Sequence, residues 1–235
     1  MDKVKKPGKE TPRTRCHSLD ELREIWAAAG MLGYPFGPVI QLLIVIPMHR
    51  EEIASLPVDE LDLDWNVETE EGNWTIPGER VKNGRALNVP LSALAVRIMR
   101  SVMVDPMRPK QSRFMFTTTG TSSVSGFRKG KDRLDRYIAE TREQVATRVS
   151  GTATEMPHWT IHDLRSTFAT RAADRLGIDI AVVDRMLNHV ATATTSKITR
   201  IYNMSELFEP RRQASNAWAA LLECGVIGDE SANVL

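Results

Sequence analysis

Four side chains near the end of the sequence carry groups that bind and handle a phosphodiester: His162, Arg165, His189 and Tyr202. In IHDLR, His162 and Arg165 are three residues apart, so a helix sets them on one face. The planar fork of Arg165 can hold two oxygens of one phosphate. His162 beside it can donate a hydrogen bond or hold a proton. His189 lies in LNHV, at the end of a short apolar segment where helices usually stop. Tyr202 follows in ITRIYN, after a Thr/Ser-rich link. A phenol, with a pKa of about 10, is a poor nucleophile at neutral pH. It needs a cationic pocket or a base to become one, and an arginine with two histidines supplies such a pocket. Taken singly, each residue has an ordinary alternative, as a helix cap, a satisfied polar group or amphipathic packing. His162–Asp163 could begin a metal site, but no second His/Asp/Glu cluster has ligand spacing, so no metal and no cofactor is expected.

The order and context of these residues, WTIHDLRSTFAT, then RLGI, then LNH, then IYN, then a tail containing AWAALL, resemble the catalytic domain of the tyrosine recombinases, the phage integrase family. The resemblance runs from about Leu19 to Leu222. It implies the DNA breaking-rejoining fold and a reaction in which Tyr202 attacks DNA to form a 3′-phosphotyrosyl link. That link conserves the energy of the broken bond, so neither ATP nor a metal is required. By the same resemblance Arg165 stabilises the equatorial oxygens, His162 assists proton transfer, and His189 hydrogen-bonds a phosphate oxygen. Lys82, in KNGR before an apolar-Pro-Leu-Ser stretch, corresponds to the family's hairpin lysine, which protonates the departing 5′-oxygen; an ammonium beside a phosphate suits that role.

One motif departs from the pattern. The family places an arginine three residues before a Glu-apolar pair. Here Glu52–Ile53 puts His49 at that position, with Arg50 one residue on, about 100° away on a helix. Either Arg50 reaches the phosphate through a local shift, or His49 substitutes, or cleavage is impaired, since an imidazole has no bidentate fork. Two other readings therefore stand beside the recombinase: an integrase-like DNA-binding protein with impaired cleavage, and a type IB topoisomerase-like enzyme, whose typical accessory regions are not evident.

The elements that must position these groups follow from patterning. Ser18, with acids behind it, opens a helix to about Ala29. VIQLLIVI reads as a buried helix, Pro47 either ends it or starts the next helix, and HREEIASL reads as a short helix with Ile53 and Leu56 inward. VDELDLDWN, NWTIP and ALNVPLS read as three strands; Asn83–Gly84 marks a tight turn, with Lys82 at its tip. SALAVRIMRSVM is a helix, and RFMF a possible short strand. From Ser125 to about Val149, Phe127, Leu134, Ile138, Val145 and Val149 recur at helical intervals, with Arg128, Lys129, Lys131 and Arg133 crowding the first half. Lys/Arg contacts to phosphate dominate DNA affinity, so Arg128, Lys129 and Lys131 are the expected DNA-binding residues. SELFEPRRQASNAWAALLE reads as an amphipathic helix, packed on its own domain or on a neighbouring protomer. The expected fold is mainly α with a small antiparallel β-sheet (α+β).

The net charge of +1 hides an uneven distribution. Residues 1–15 carry six Lys/Arg against two acids, residues 51–71 nine acids and no base, and residues 97–148 twelve Lys/Arg against five acids. A DNA-binding protein needs one cationic face rather than a high global charge. Cys16 and Cys224 form neither metal spacing nor a disulfide framework, which fits a reducing compartment. No apolar run reaches the length of a membrane span, and the basic start has no apolar core, unlike a secretory signal. The expected organisation is a basic arm over 1–17, a catalytic domain over 18–222 and a tail over 223–235. No counterpart is evident of the separate helical domain that recombinases usually carry. The expected partner is double-stranded DNA, with a tetramer on DNA and a monomer as a free fragment, in the cytoplasm of a bacterium or encoded by a phage.

Overall fold

The computed structural model describes residues 15–81, 84–188 and 207–228. It is mainly helical with one three-stranded antiparallel sheet, ordered β1-β2-β3. Helix α1 (Leu19–Leu32) starts at a capping box: the Ser18 hydroxyl accepts from the Glu21 N–H, and the Glu21 carboxylate accepts from the Ser18 N–H. Helix α2 (Phe36–Val45) is apolar on nearly every side and is buried accordingly, from Val39 to Val45. Its start crosses α1 closely. A Cβ on Gly37 would lie 2.2 Å from the Ala29 carbonyl oxygen, so only glycine allows this approach.

The chain leaves α2 in extended conformation at Ile46 and enters a one-turn helix, α3 (Arg50–Ala54), whose Ile53 is fully buried. Strands β1 (Leu61–Asn66), β2 (Glu71–Ile76) and β3 (Leu87–Leu91) follow. Trp74 on β2 faces Leu61 on one side and Val89 on the other, is wholly buried, and donates its indole N–H to Glu60 at 2.9 Å. Gly84, at φ +70°, is the left-handed residue expected of the turn before β3. Lys82 and Asn83 lie outside the described residues.

Helix α4 (Ala93–Val104) is capped by Ser92, and α5 (Phe127–Arg148) is the longest element. RFMF does not form a strand; its residue Phe114 makes only an isolated bridge to Pro57. Along α5, Leu134 and Ile138 are buried, but Val145 and Val149 are 54% and 72% exposed. The helical repeat is right and the helix outruns the core. Helices α6 (Ile161–Leu176) and α7 (Ile180–Met186) follow, then α8 (Phe208–Leu222) with a π-helical turn, Glu223–Ile227. Helix α8 packs on its own domain: Trp218 is buried, stacks edge-on against Phe168 of α6 at 5.4 Å, and donates to the Ile44 carbonyl at 2.9 Å. Val226, beyond the expected domain end, is buried too. At the other end Arg15–His17, read as part of an arm, lie against α6. No helix among the described residues is long and apolar enough to cross a membrane.

Candidate active site

Helix α6 carries the HxxR pair, and its N-terminus is fixed from several sides. The Asp163 carboxylate accepts from the Thr160 N–H at 2.7 Å, closing a capping box with Thr160. Trp159 just before it is buried beneath the Lys131 ammonium, 3.9 Å from its ring. His17, wholly buried, meets Trp159 edge-on at 5.3 Å and binds Thr167 twice, through its backbone N–H and its ring Nδ1, each at 2.9 Å. The Thr167 hydroxyl donates to the Asp163 carbonyl at 2.7 Å, so it receives the Nδ1–H rather than giving its own proton. Arg171 holds the His17 carbonyl from the next turn. Burial pushes the His17 imidazole down to about 4.

This frame sets out His162 and Arg165. His162 is exposed, whereas Arg165 is 5% exposed. The Arg165 guanidinium donates through Nη1 to the Pro47 carbonyl at 2.6 Å and through Nη2 to the Leu187 carbonyl. These bonds fix its plane and use two of its five N–H donors. They also tie α6 to the turn before α3 and to the end of α7. Burial lowers the Arg165 pKa from its ordinary value, with Glu52 acting in the opposite direction.

The two candidates for the first arginine position part company. His49 is the N-cap of α3, and its ring lies nearly parallel to that of His162, at 17° and 6.5 Å between centroids. That is within the usual range for aromatic pairs. Arg50 turns away: it pairs with Glu51 and sits over the Phe127 ring at 4.9 Å. Partial burial and the Arg165 charge lower the His49 pKa, against a smaller upward effect of Glu52.

His49, Arg50, His162 and Arg165 all line one open cleft of about 1390 Å³, walled on its far side by α5 and the 151–160 loop. Arg128 lines it as well and is exposed; Lys129 is exposed but outside it. Lys131 is half-buried, ion-paired with Asp135 at 2.6 Å and committed to Trp159. His189 and Tyr202, like Lys82, lie outside the described residues. The sequence reading missed the anchoring groups. The T-x-x-D capping pattern at Thr160–Asp163, preceded by an apolar Trp159, was a local signal for this helix start. The His17–Thr167 link spans 150 positions and leaves none.

A solved structure of the XerH site-specific recombinase bound to difH substrate, in a pre-cleavage complex, superposes with a TM-score of 0.48 at 16% sequence identity. The match covers 80% of this chain and 49% of that one, so the chain spans about half the length of that protein. No curated protein matches. The sequence model of the phage integrase family matches residues 20–205, most of the chain. The chain therefore belongs to the phage integrase family, the tyrosine recombinases.

Proposed function

We propose that this domain cleaves and rejoins double-stranded DNA through a 3′-phosphotyrosyl intermediate, as a site-specific recombinase. The observation that carries the reading is the meeting of His49, His162 and Arg165 at the head of one cleft, from segments more than a hundred positions apart. Three groups able to carry positive charge suit a site where negative charge grows on phosphate oxygens. Arg165 and His49 take the equatorial oxygens, His162 assists proton transfer, and His189 hydrogen-bonds a phosphate oxygen. Tyr202 is the nucleophile. Its attack on phosphorus breaks the bond to the 5′-oxygen, which leaves with a proton from Lys82. A 5′-hydroxyl from a partner duplex reverses the step. Arg128 and Lys129, exposed on the first turn of α5, hold DNA backbone. The unit that does this comprises residues 18–222 with the buried strap at His17, and four copies act together on DNA.

The test is a suicide duplex, nicked so that the cleaved strand escapes. The wild-type chain is expected to form a covalent adduct, and Tyr202→Phe to bind without forming one. A Tyr202→Phe protein that still cleaves overturns the nucleophile assignment. A second reading, DNA binding with weakened cleavage, is favoured by the His49 position and by Arg50 pointing to Phe127. Retained binding with no adduct in the wild type selects it.

A further inference from the structure

We propose that a DNA phosphodiester enters this site together with a proton, taken from solvent by His49 as the phosphate seats between it and Arg165. The inference rests on the reading of the cleft as a phosphodiester site and concerns how that site is charged.

His49 lies exposed at the start of α3, beside one permanent cation and one further imidazole, both from α6. Three acids on α3 and at the start of α6 are already engaged. Glu51 is held by Arg50, and Glu52 accepts from the His49 backbone N–H at 2.8 Å. Asp163 on α6 is turned back to the Thr160 N–H. Across the cleft α5 presents Arg128, Lys131, Asp132, Asp135, Arg142 and Glu143, of which Lys131 pairs with Asp135 and Arg142 with Glu24, and the 151–160 loop presents Glu155 and His158. No carboxylate among the described residues hydrogen-bonds either imidazole. An empty site therefore favours the neutral His49 ring, in the direction its lowered pKa records. An anion within about 4–6 Å reverses the preference, because opposite charge stabilises the imidazolium.

An arginine at this position would be charged with or without DNA and would exchange no proton. His49 instead makes occupancy proton-linked. Between the pKa of the free ring and that of the DNA-bound ring, each binding event takes up a proton. Affinity then falls as pH rises through that window, by at most about tenfold per pH unit for one proton. Below the window His49 is charged beforehand and contributes no slope.

The experiment is titration calorimetry of the full chain with a mixed-sequence duplex, in two buffers of different ionisation enthalpy, from pH 6 to 8. The difference in apparent enthalpy between buffers gives the protons exchanged. The wild type is expected to take up close to one proton per domain, and His49→Arg and His49→Gln to bind with that uptake lost. His49→Arg is also expected to bind with an affinity nearly flat in pH. Wild-type binding without proton uptake overturns the proposal. So does unchanged uptake in His49→Gln, which assigns the proton to another group. Absence of duplex binding at every pH overturns the phosphodiester-site reading itself and the proposal with it.

Discussion

In the proposed reaction, His49 stands where the resemblance places an arginine, and an imidazole has no bidentate fork for the transition-state charge. At high pH a neutral His49 leaves Arg165, among the described residues, as the cation that acts on this pair of imidazoles. His49→Arg should therefore raise single-turnover cleavage of the suicide duplex at pH 8, by about tenfold to a hundredfold, given what one transition-state donor contributes. An unchanged rate would mean that position 49 does not face the transferring phosphate. Lys82→Ala should slow cleavage of ordinary DNA and be rescued by a bridging 5′-thiolate leaving group, which needs no proton. Equal impairment on both substrates would remove Lys82 from the general-acid role. The His162–Arg165 pairing was legible from spacing alone, because both sit inside a helix. The direction of His49 against Arg50 was not. His49 is the N-cap, with an extended backbone at ψ 147°, so the helical angle between neighbours does not apply at that step.

At the scale of elements, α5 divides by function along its length. Its first turns carry Arg128 and Lys129 in solvent, its middle buries Leu134 and Ile138, and its end stands clear of the core with Val145 and Val149 exposed. Arg142 ties that outer end to α1 through Glu24 at 2.6 Å and to the 151–160 loop through the Thr154 carbonyl at 2.7 Å. Arg128→Glu with Lys129→Glu should weaken duplex binding. The log–log slope of affinity against salt should also become shallower, by about 0.9 for each phosphate no longer neutralised. Lys131→Ala should leave that slope nearly unchanged, since its ammonium is held by Asp135 and Trp159. A much shallower slope in that variant would instead put Lys131 on the DNA. The sequence showed this helix and its basic start because both are local patterns. It did not show which lysine turns inward, because that depends on Trp159, which arrives from a separate loop. The strands and the capped starts of α1 and α4 were legible for the same local reason.

Across the whole molecule, helix α6 is held by the two ends of the described chain. His17 and Arg171 clamp one side of α6, and Trp218 of α8 packs on a neighbouring face through Phe168. Contacts between such distant positions leave no periodicity to read, so the sequence placed His17 in an arm. Its burial has a thermodynamic signature. The folded ring resists protonation until about pH 4, while in the unfolded chain it takes a proton near its ordinary value of 6.5. The unfolded state therefore binds more protons between those values, and stability falls as pH drops from 6.5 towards 4. At neutral pH and above, both forms are neutral and the effect vanishes. The full loss amounts to roughly 3 kcal/mol, with His49 adding in the same direction. His17→Asn, whose amide can still donate to Thr167, should lower the melting temperature at pH 7 and flatten its decline between pH 6.5 and 4.5. An unchanged decline in the variant would mean that the acid sensitivity comes from other groups and that the strap at His17 opens before the domain unfolds.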